Sequence, residues 1–281
     1  MDNVLGVIGG SGLYAMDTLE RVEETSAETP FGAASSPVVS GALGDHRILF
    51  VARHGRGHVI APTQVNYRAN VYALKALGAT HVLSISAVGS LREELAPGHV
   101  VLPSQLLDRT TRRVSTFFDD GLVAHVAVAD PYCPLLSETV AHAAGASGAV
   151  VHRDKTYVCI EGPRFSTRAE SQAHRAMGAD VVGMTAAPEA FLAREAELPY
   201  ATLALVTDYD CWREREDVDV ASILSIVRAN VARAQAIIAR VARLLPDARS
   251  SPAHGALRHA IVSTAPIAPE VRRRYAALLG P

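Results

Sequence analysis

This chain has few of the features that mark disulfide-rich, metal-binding, membrane or nucleic-acid-binding proteins. Cysteine occurs three times in 281 residues, without the spacing of a metal site or an even disulfide set. Lys and Arg total 27 against 29 for Asp and Glu, and a net charge of -2 argues against a nucleic-acid binder that neutralises phosphates. No apolar run approaches the roughly 20 residues of a membrane-spanning helix. The N-terminus shows no basic, apolar leader, so we expect a cytoplasmic protein with reduced thiols and no metal.

Aromatic residues are also scarce at 5%, whereas 49% of the residues are hydrophobic, so the core must be built mainly from small aliphatic side chains. Strand-like runs alternate with helical patterns, which predicts an α/β fold with a mixed central sheet flanked by helices. The predicted strands are 4–8, 38–43, 47–52, 80–86, 99–102, 149–160, 181–184 and 200–207. Helices are predicted over 66–77, 138–144, 167–178 and 220–245, with another beginning near Pro188.

The domain organisation follows from one change in composition near the C-terminus. Residues 246–255 (PDARSSPAHG) have the composition of a linker, and a short basic helix is predicted around 270–279. We expect a main domain over residues 1–245, with residues 246–281 as a linker and helical appendage of that same domain.

Polar segments follow five of the predicted strands, where ligands of open α/β sheets gather. The segments are 9–12 (GGSG), 53–58 (RHGRGH), 86–90 (SAVGS), 184–188 (MTAAP) and 207–212 (TDYDCW). Glycines and hydroxyls in the first and third let the backbone approach an anion. Arg53 offers a bidentate fork for phosphate and His54 a further donor. Thr185 places a hydroxyl just before a predicted helix N-terminus, which also suits an anion.

Asp208 and Asp210 follow the most apolar predicted strand, and side chains two apart on an extended segment point the same way. Two carboxylates at the edge of an apolar sheet are costly unless they meet donors or protons. We interpret them as an acid–base pair that faces an oxyanion site. The alternative interpretation is a plain surface turn.

The motifs taken together resemble a known enzyme family. They are GGSGL (9–13), ARHGR (52–56), GSLREE (89–94), DRTT (108–111), EGPRFS (161–166) and TDYDCW (207–212). In this order they resemble the trimeric purine nucleoside phosphorylase family, and within it the 5'-methylthioadenosine phosphorylase branch. The resemblance extends over residues 3–245. It implies the fold of that family, a homotrimer, and no cofactor besides inorganic phosphate as co-substrate.

The resemblance also implies an activity and a set of site residues. The activity is cleavage of a purine N-glycosidic bond by phosphate, giving free base and a pentose 1-phosphate. Phosphate would be bound by Ser11, Arg53, His54, Ser86, Ala87 and Thr185. The purine would contact Phe165, Asp208 and Asp210, and the ribose Met184. The 5'-substituent would lie near Val220 and Ile223, with His125 supplied by a neighbouring subunit.

The two aspartates give the catalytic hypothesis. Asp208, as a carboxyl group of raised pKa, would protonate or hydrogen-bond N7 of the leaving purine, and Asp210 would accept from an exocyclic amine. This set favours a 6-aminopurine nucleoside. A 6-oxopurine nucleoside phosphorylase, a nucleosidase that uses water, and a non-catalytic purine sensor remain alternatives. The 5'-substituent is left open between methylthio, hydroxyl and halogen.

Overall fold

The structure, a computed structural model, describes residues 3–14, 16, 18–119, 121–213 and 220–279, except for the side chains of Ser11, Tyr14 and residues 220–230. The strands are β1 (Leu5–Gly9), β2 (Glu20–Thr25), β3 (Val38–Leu43), β4 (His46–Ala52), β5 (His81–Ser90), β6 (Val100–Asp108), β7 (Val151–Cys159), β8 (Val181–Gly183) and β9 (Tyr200–Asp208). The helices are α1 (Tyr67–Ala76), α2 (Pro134–Gly145), α3 (Arg168–Ala176), α4 (Ala186–Glu195), α5 (Val220–Arg243), α6 (Pro269–Arg274) and α7 (Ala276–Leu279). The predicted α/β fold with a mixed sheet is confirmed.

The sheet is arranged so that several strand ends meet at one edge. Its strand order is β2-β3-β4-β1-β5-β8-β7-β6-β9, and β5 also pairs with β9, so the last five strands close into a ring. Strands β4, β1, β5 and β9 run parallel to one another. Their carboxyl ends therefore lie side by side, which brings the polar segments after them into one region.

Helices cover both faces of the sheet because its strands are apolar on both sides. In β4, Leu49 and Val51 pack into one buried cluster with residues of α1 and α4. The alternate residues Ile48 and Phe50 pack into a second cluster with residues of α2 and α5. This alternation follows from the two-residue period of a strand, and burial on both faces is typical of parallel sheets.

Helix α3 begins where its capping sequence predicts. The Thr167 side chain accepts from the backbone N–H of Glu170, and the Glu170 side chain accepts from the backbone N–H of Thr167. This reciprocal pair satisfies two N–H groups that the helix itself leaves free. It places the start of α3 directly after the segment 161–166, which contains Phe165.

Some elements differ from the prediction. Strand β2 was not predicted, because all six of its residues are exposed and its sequence, ERVEET, shows no apolar alternation. The C-terminal helix is split into α6 and α7, and the buried Tyr275 between them packs against the cluster that α1 lines. Strands β5 and β6 both extend further than predicted. None of the described helices combines the length and the hydropathy that crossing a bilayer requires.

Candidate active site

A cavity of about 600 Å³ opens at the edge where the parallel strands end. Most of the site residues predicted from the sequence line it: Arg53, His54, Ser86, Ala87, Phe165, Met184, Thr185, Asp208 and Asp210. The basic pair and the carboxylate pair thus border one space, although they are more than 150 positions apart in the chain. Ligands bound together in this cavity can therefore contact both the basic pair and the carboxylate pair.

For four of the predicted residues, no described side chain lines the cavity. The side chains of Ser11, Val220 and Ile223 lie outside the described residues. Gly10 and Gly12, which flank Ser11, line the cavity, as does Val231 further along α5. His125 is exposed and is not part of the cavity of its own chain. Its backbone N–H donates to Ala260 O at 2.8 Å.

Arg53 is held by a carboxylate that the sequence analysis did not single out. Its Nε and Nη2 atoms donate to Glu189 at 2.9 and 3.2 Å. Nη2 also donates to Ser84 Oγ and Ile8 O, and Nη1 donates to Ile85 O. Both Arg53 and Glu189 are buried. Burial alone would lower the pKa of Arg53, but the Glu189 carboxylate raises it above its ordinary value, so the guanidinium stays charged.

The predicted bidentate fork of Arg53 therefore points at Glu189 and not into the cavity. A guanidinium has five N–H donors. Within the described chain, the acceptors around Arg53 engage Nε, both hydrogens of Nη2 and one hydrogen of Nη1. One Nη1 hydrogen is left for a ligand. Arg53 lines the cavity as predicted, but with a single donor.

His54 follows Arg53 directly and is part-buried. Its Nδ1 lies 2.9 Å from the backbone oxygen of Ile60, and its ring stacks on His58 with the centroids 4.3 Å apart. Burial, and then the neighbouring Arg53 cation, lower the pKa of His54 to about 4. The imidazole is therefore neutral at physiological pH.

Three hydroxyl groups form a cluster beside the basic pair. Ser86 Oγ lies 3.3 Å from Thr185 Oγ1 and 3.2 Å from the Tyr157 hydroxyl. Thr185 is the N-cap residue of α4, as the sequence predicts, and its hydroxyl makes no capping bond. Tyr157 was not predicted. The Tyr157 hydroxyl has space beside β8 because Gly183 lacks a side chain. A Cβ at position 183 would lie 1.9 Å from the hydroxyl oxygen.

The carboxylate pair is held by a turn. The backbone N–H of Asp210 donates to Asp208 Oδ1 at 2.7 Å, and Thr207 Oγ1 donates to Asp208 Oδ2 at 2.7 Å. Asp210 has φ +51°, so the segment is not extended as predicted, although both side chains line the same cavity. An aspartate that accepts from the N–H two residues ahead is a common turn, and it brings both carboxylates to the cavity.

Both carboxyl groups are poised to bind protons or donors. Burial raises the pKa of Asp208, and the bonds from Thr207 and the Asp210 N–H offset this only in part. Burial also raises the pKa of Asp210, more than the nearby Ser171 hydroxyl lowers it. Asp210 is 4% exposed, and its Oδ2 has no hydrogen-bond partner of good geometry among the described residues, although the Ser171 hydroxyl lies near the carboxyl group. Such a buried acceptor is costly unless a ligand supplies a donor.

Arg113 is a further residue that the sequence analysis missed. Its Nη1 donates to Met184 O and Ala187 O at 2.7 and 2.6 Å. Its Nη2 donates to Glu161 O at 2.6 Å, and its Nε to the Glu161 carboxylate at 3.0 Å. Arg113 thus ties the segment before Phe165 to the segment that carries Thr185, and so fixes two walls of the cavity.

Comparison with known proteins places the chain in a family. The model of the family described as "Phosphorylase superfamily" matches residues 4–243 of the chain. The chain belongs to this family. It is 52% identical to the S-methyl-5'-thioadenosine phosphorylase of Geobacter sulfurreducens, with 100% of this chain and 99% of the relative covered. It is 50% identical to the protein of the same name from Chloroflexus aurantiacus, over 98% and 97% of the two chains.

Solved structures of methylthioadenosine phosphorylases are also similar to this chain. A methylthioadenosine phosphorylase sourced from an antarctic soil metagenomic library is 46% identical, with a TM-score of 0.95 over 99% of each chain. The Schistosoma mansoni methylthioadenosine phosphorylase in complex with adenine is 40% identical, with a TM-score of 0.83 over 87% of this chain and 92% of that one. The family resemblance seen in the motifs is confirmed, and the chain is an enzyme of the phosphorylase type.

Proposed function

We propose that the protein cleaves 5'-methylthioadenosine with inorganic phosphate to give adenine and 5-methylthioribose 1-phosphate. The observation that carries this proposal is one cavity lined both by Arg53 and His54 and by Asp208 and Asp210. Its relatives at about half identity carry the name of this activity. The reaction needs an oxyanion on one face of the sugar and an acid at the departing base, and the cavity offers both.

Phosphate would occupy the end of the cavity where the hydroxyl cluster lies. We assign its contacts to Ser11, Arg53, His54, Ser86, Ala87 and Thr185. Phosphate held there would stabilise the positive charge that develops on the sugar as the glycosidic bond lengthens, and would then attack C1'. Positioning of this kind can contribute up to about 7–11 kcal/mol to catalysis.

Adenine would occupy the other end, between the carboxylates and Phe165. The raised pKa of Asp208 suits a group that protonates or hydrogen-bonds N7 as the base departs. The buried Oδ2 of Asp210, which has no hydrogen-bond partner among the described residues, suits an acceptor for the exocyclic amine. Phe165 is 43% exposed and can cover the base, while Met184 would contact the ribose. Acceptors of this kind favour 6-aminopurines over 6-oxopurines.

The 5'-substituent would lie against α5, near Val220 and Ile223, with His125 supplied by a neighbouring subunit of a homotrimer. The exposure of His125 on its own subunit is compatible with such a role. We propose that no cofactor besides the co-substrate phosphate takes part and that the enzyme is cytoplasmic. Cys133, Cys159 and Cys211 are free thiols, which suits a reducing compartment.

A substrate panel tests the proposal and separates it from its alternatives. Purified enzyme is incubated with methylthioadenosine, adenosine, inosine and methylthioinosine, with and without phosphate, and the products are separated by chromatography. We expect adenine and a pentose 1-phosphate from methylthioadenosine only when phosphate is present. Free pentose without phosphate would indicate a nucleosidase, a preference for inosine a 6-oxopurine enzyme, and binding without product a sensor.

A further inference from the structure

The hydrogen bond at Nδ1 of His54 decides what its other ring nitrogen can do. A backbone carbonyl oxygen only accepts, so the 2.9 Å contact with Ile60 O requires a hydrogen on Nδ1. The loop holds this arrangement from both sides, because the backbone N–H of Ile60 donates to His54 O at 3.0 Å. In the neutral ring Nε2 is then a lone-pair acceptor. It makes no hydrogen bond with a described residue, which leaves it for a ligand.

The surroundings of His54 favour this neutral form. The charged and titratable groups that face its ring are Arg53, His58 and Arg113, and each of them lowers its pKa. Burial lowers the pKa further, to about 4. A group with a lowered pKa of this kind gains its proton only in acid. Near neutral pH the cavity therefore contains an acceptor at a place where an anion is expected to meet donors.

We propose that His54 Nε2 accepts a hydrogen bond from the protonated oxygen of monohydrogen phosphate, and that the site thereby selects tetrahedral oxyanions that carry a proton. This inference rests on the proposed function, which places phosphate in the cavity. Monohydrogen phosphate and monohydrogen arsenate each have one O–H to donate. Sulfate is fully ionised near neutral pH, so its oxygen lone pairs would face the Nε2 lone pair.

The same contact orients the phosphate. A phosphate whose O–H donates to His54 has its unprotonated oxygens left to accept from the Ser86 and Thr185 hydroxyls and the last Nη1 hydrogen of Arg53, which line the same cavity. The oxygens that face the sugar then carry the negative charge. His54 thus acts as an acceptor and not as the donor expected from the sequence. The site therefore distinguishes a protonated anion from a fully ionised one.

Anion binding measured by calorimetry tests the selection directly. Wild type, His54→Ala and His54→Gln are titrated with phosphate, arsenate and sulfate near neutral pH, with His58→Ala as the control that removes an imidazole from the same cavity. We expect wild type to bind phosphate and arsenate at least about tenfold more tightly than sulfate, the value of one hydrogen bond against an unmet acceptor. His54→Ala should lose this preference through weaker phosphate binding. His58→Ala should keep it.

The Gln variant and the pH dependence distinguish a change in hydrogen bonding at residue 54 from a general structural effect of the substitution. A Gln amide can turn its NH₂ to an anion, so His54→Gln should bind sulfate more tightly than wild type does. Sulfate binding to wild type should strengthen as the pH falls toward the pKa of His54, because the protonated ring donates, and this rise should be absent in His54→Ala. Sulfate does not change its own charge in this range.

Two results would overturn the proposal. One is equal affinity of wild type for sulfate and phosphate near neutral pH. The other is a decrease in the affinities of His54→Ala for phosphate and for sulfate by the same factor. The binding measurement needs no nucleoside. A failure of methylthioadenosine cleavage would count against the proposed function alone, while equal anion affinities in an active enzyme would count against the role of His54 alone.

Discussion

Asp210 shows how one buried atom can set substrate preference. Its Oδ2 is buried without a hydrogen-bond partner among the described residues, and burial raises its pKa. An amide at this position would offer a donor in place of an acceptor. We therefore expect Asp210→Asn to lower kcat/KM for methylthioadenosine and raise it for methylthioinosine, so that their ratio shifts by about tenfold or more. Steady-state kinetics on both nucleosides checks this, and an unchanged ratio would remove Asp210 from base recognition.

The same substitution has a consequence for stability. A carboxyl group whose pKa is raised on folding contributes stability below its ordinary pKa of 3.8, and this is lost as the pH rises through the raised value. Asp210→Asn should therefore be more stable than wild type near neutral pH, and the gap should close in acid. Thermal unfolding over a pH series measures it. A gap that widens in acid would mean that the carboxylate is stabilised by the fold.

Glu189 is the second residue with a distinct role, because it orients Arg53 without lining the cavity. Its removal leaves a buried guanidinium without its counter-charge, which typically costs about 3–5 kcal/mol of stability. We expect Glu189→Ala to lower the unfolding temperature and raise KM for phosphate more than KM for the nucleoside. Glu189→Gln, which keeps one acceptor oxygen, should lie between Ala and wild type. Equal changes in both KM values would show that Glu189 does not act through Arg53.

At the scale of elements, the site depends on close contact between neighbouring strands. Gly183 of β8 leaves space for the Tyr157 hydroxyl from β7, which lies 3.2 Å from Ser86 of β5. A Cβ at position 183 would overlap that hydroxyl. Overpacking of this kind usually costs about 1–3 kcal/mol.

Gly183→Ala should therefore destabilise the protein, and Tyr157→Phe should relieve part of that loss by removing the overlapping oxygen. Chemical unfolding of both single variants and the double variant gives the coupling energy. The Tyr157→Phe variant alone should fold normally and weaken phosphate binding modestly. Additive losses in the double variant would place the strain elsewhere.

The elements also show what the sequence can reveal. Strands β1, β4 and β9 were predictable because each is an apolar run, and the segments at their ends contribute Gly10, Gly12, Arg53, His54, Asp208 and Asp210 to the cavity lining. Strand β2 was not, since an exposed edge strand needs no apolar side chains. Arg113, Tyr157 and Glu189 were missed because their partners lie far away in the chain. Arg53 and Glu189, for example, are 136 positions apart, and no local motif encodes such a pair.

At the scale of the whole molecule, the parallel strands β4, β1, β5 and β9 end side by side, and this brings residues that are distant in the chain to one cavity. In the proposed homotrimer, His125 would complete the cavity of a neighbouring subunit. We expect His125→Ala and Asp208→Asn homotrimers to be weakly active on methylthioadenosine, and mixed trimers of the two to regain activity. In a mixed trimer, an intact Asp208 can lie beside a partner subunit that supplies an intact His125.

The control is to mix each variant with itself under the same dissociation and reassembly conditions. Light scattering must show that the subunits have exchanged. If the activity of the exchanged mixture then equals the sum of the activities of the separate variants, a site shared between subunits is contradicted.

For the proposed reaction, one cavity must hold both the base and the anion. The most direct measurement is a crystal structure of the enzyme with phosphate and a methylthioadenosine analogue whose glycosidic bond resists cleavage. The proposed reaction requires N7 of the base within hydrogen-bonding distance of the Asp208 carboxyl group, and phosphate between C1' of the sugar, His54 and Arg53. A base turned away from Asp208, or phosphate bound in a different cavity, would contradict it.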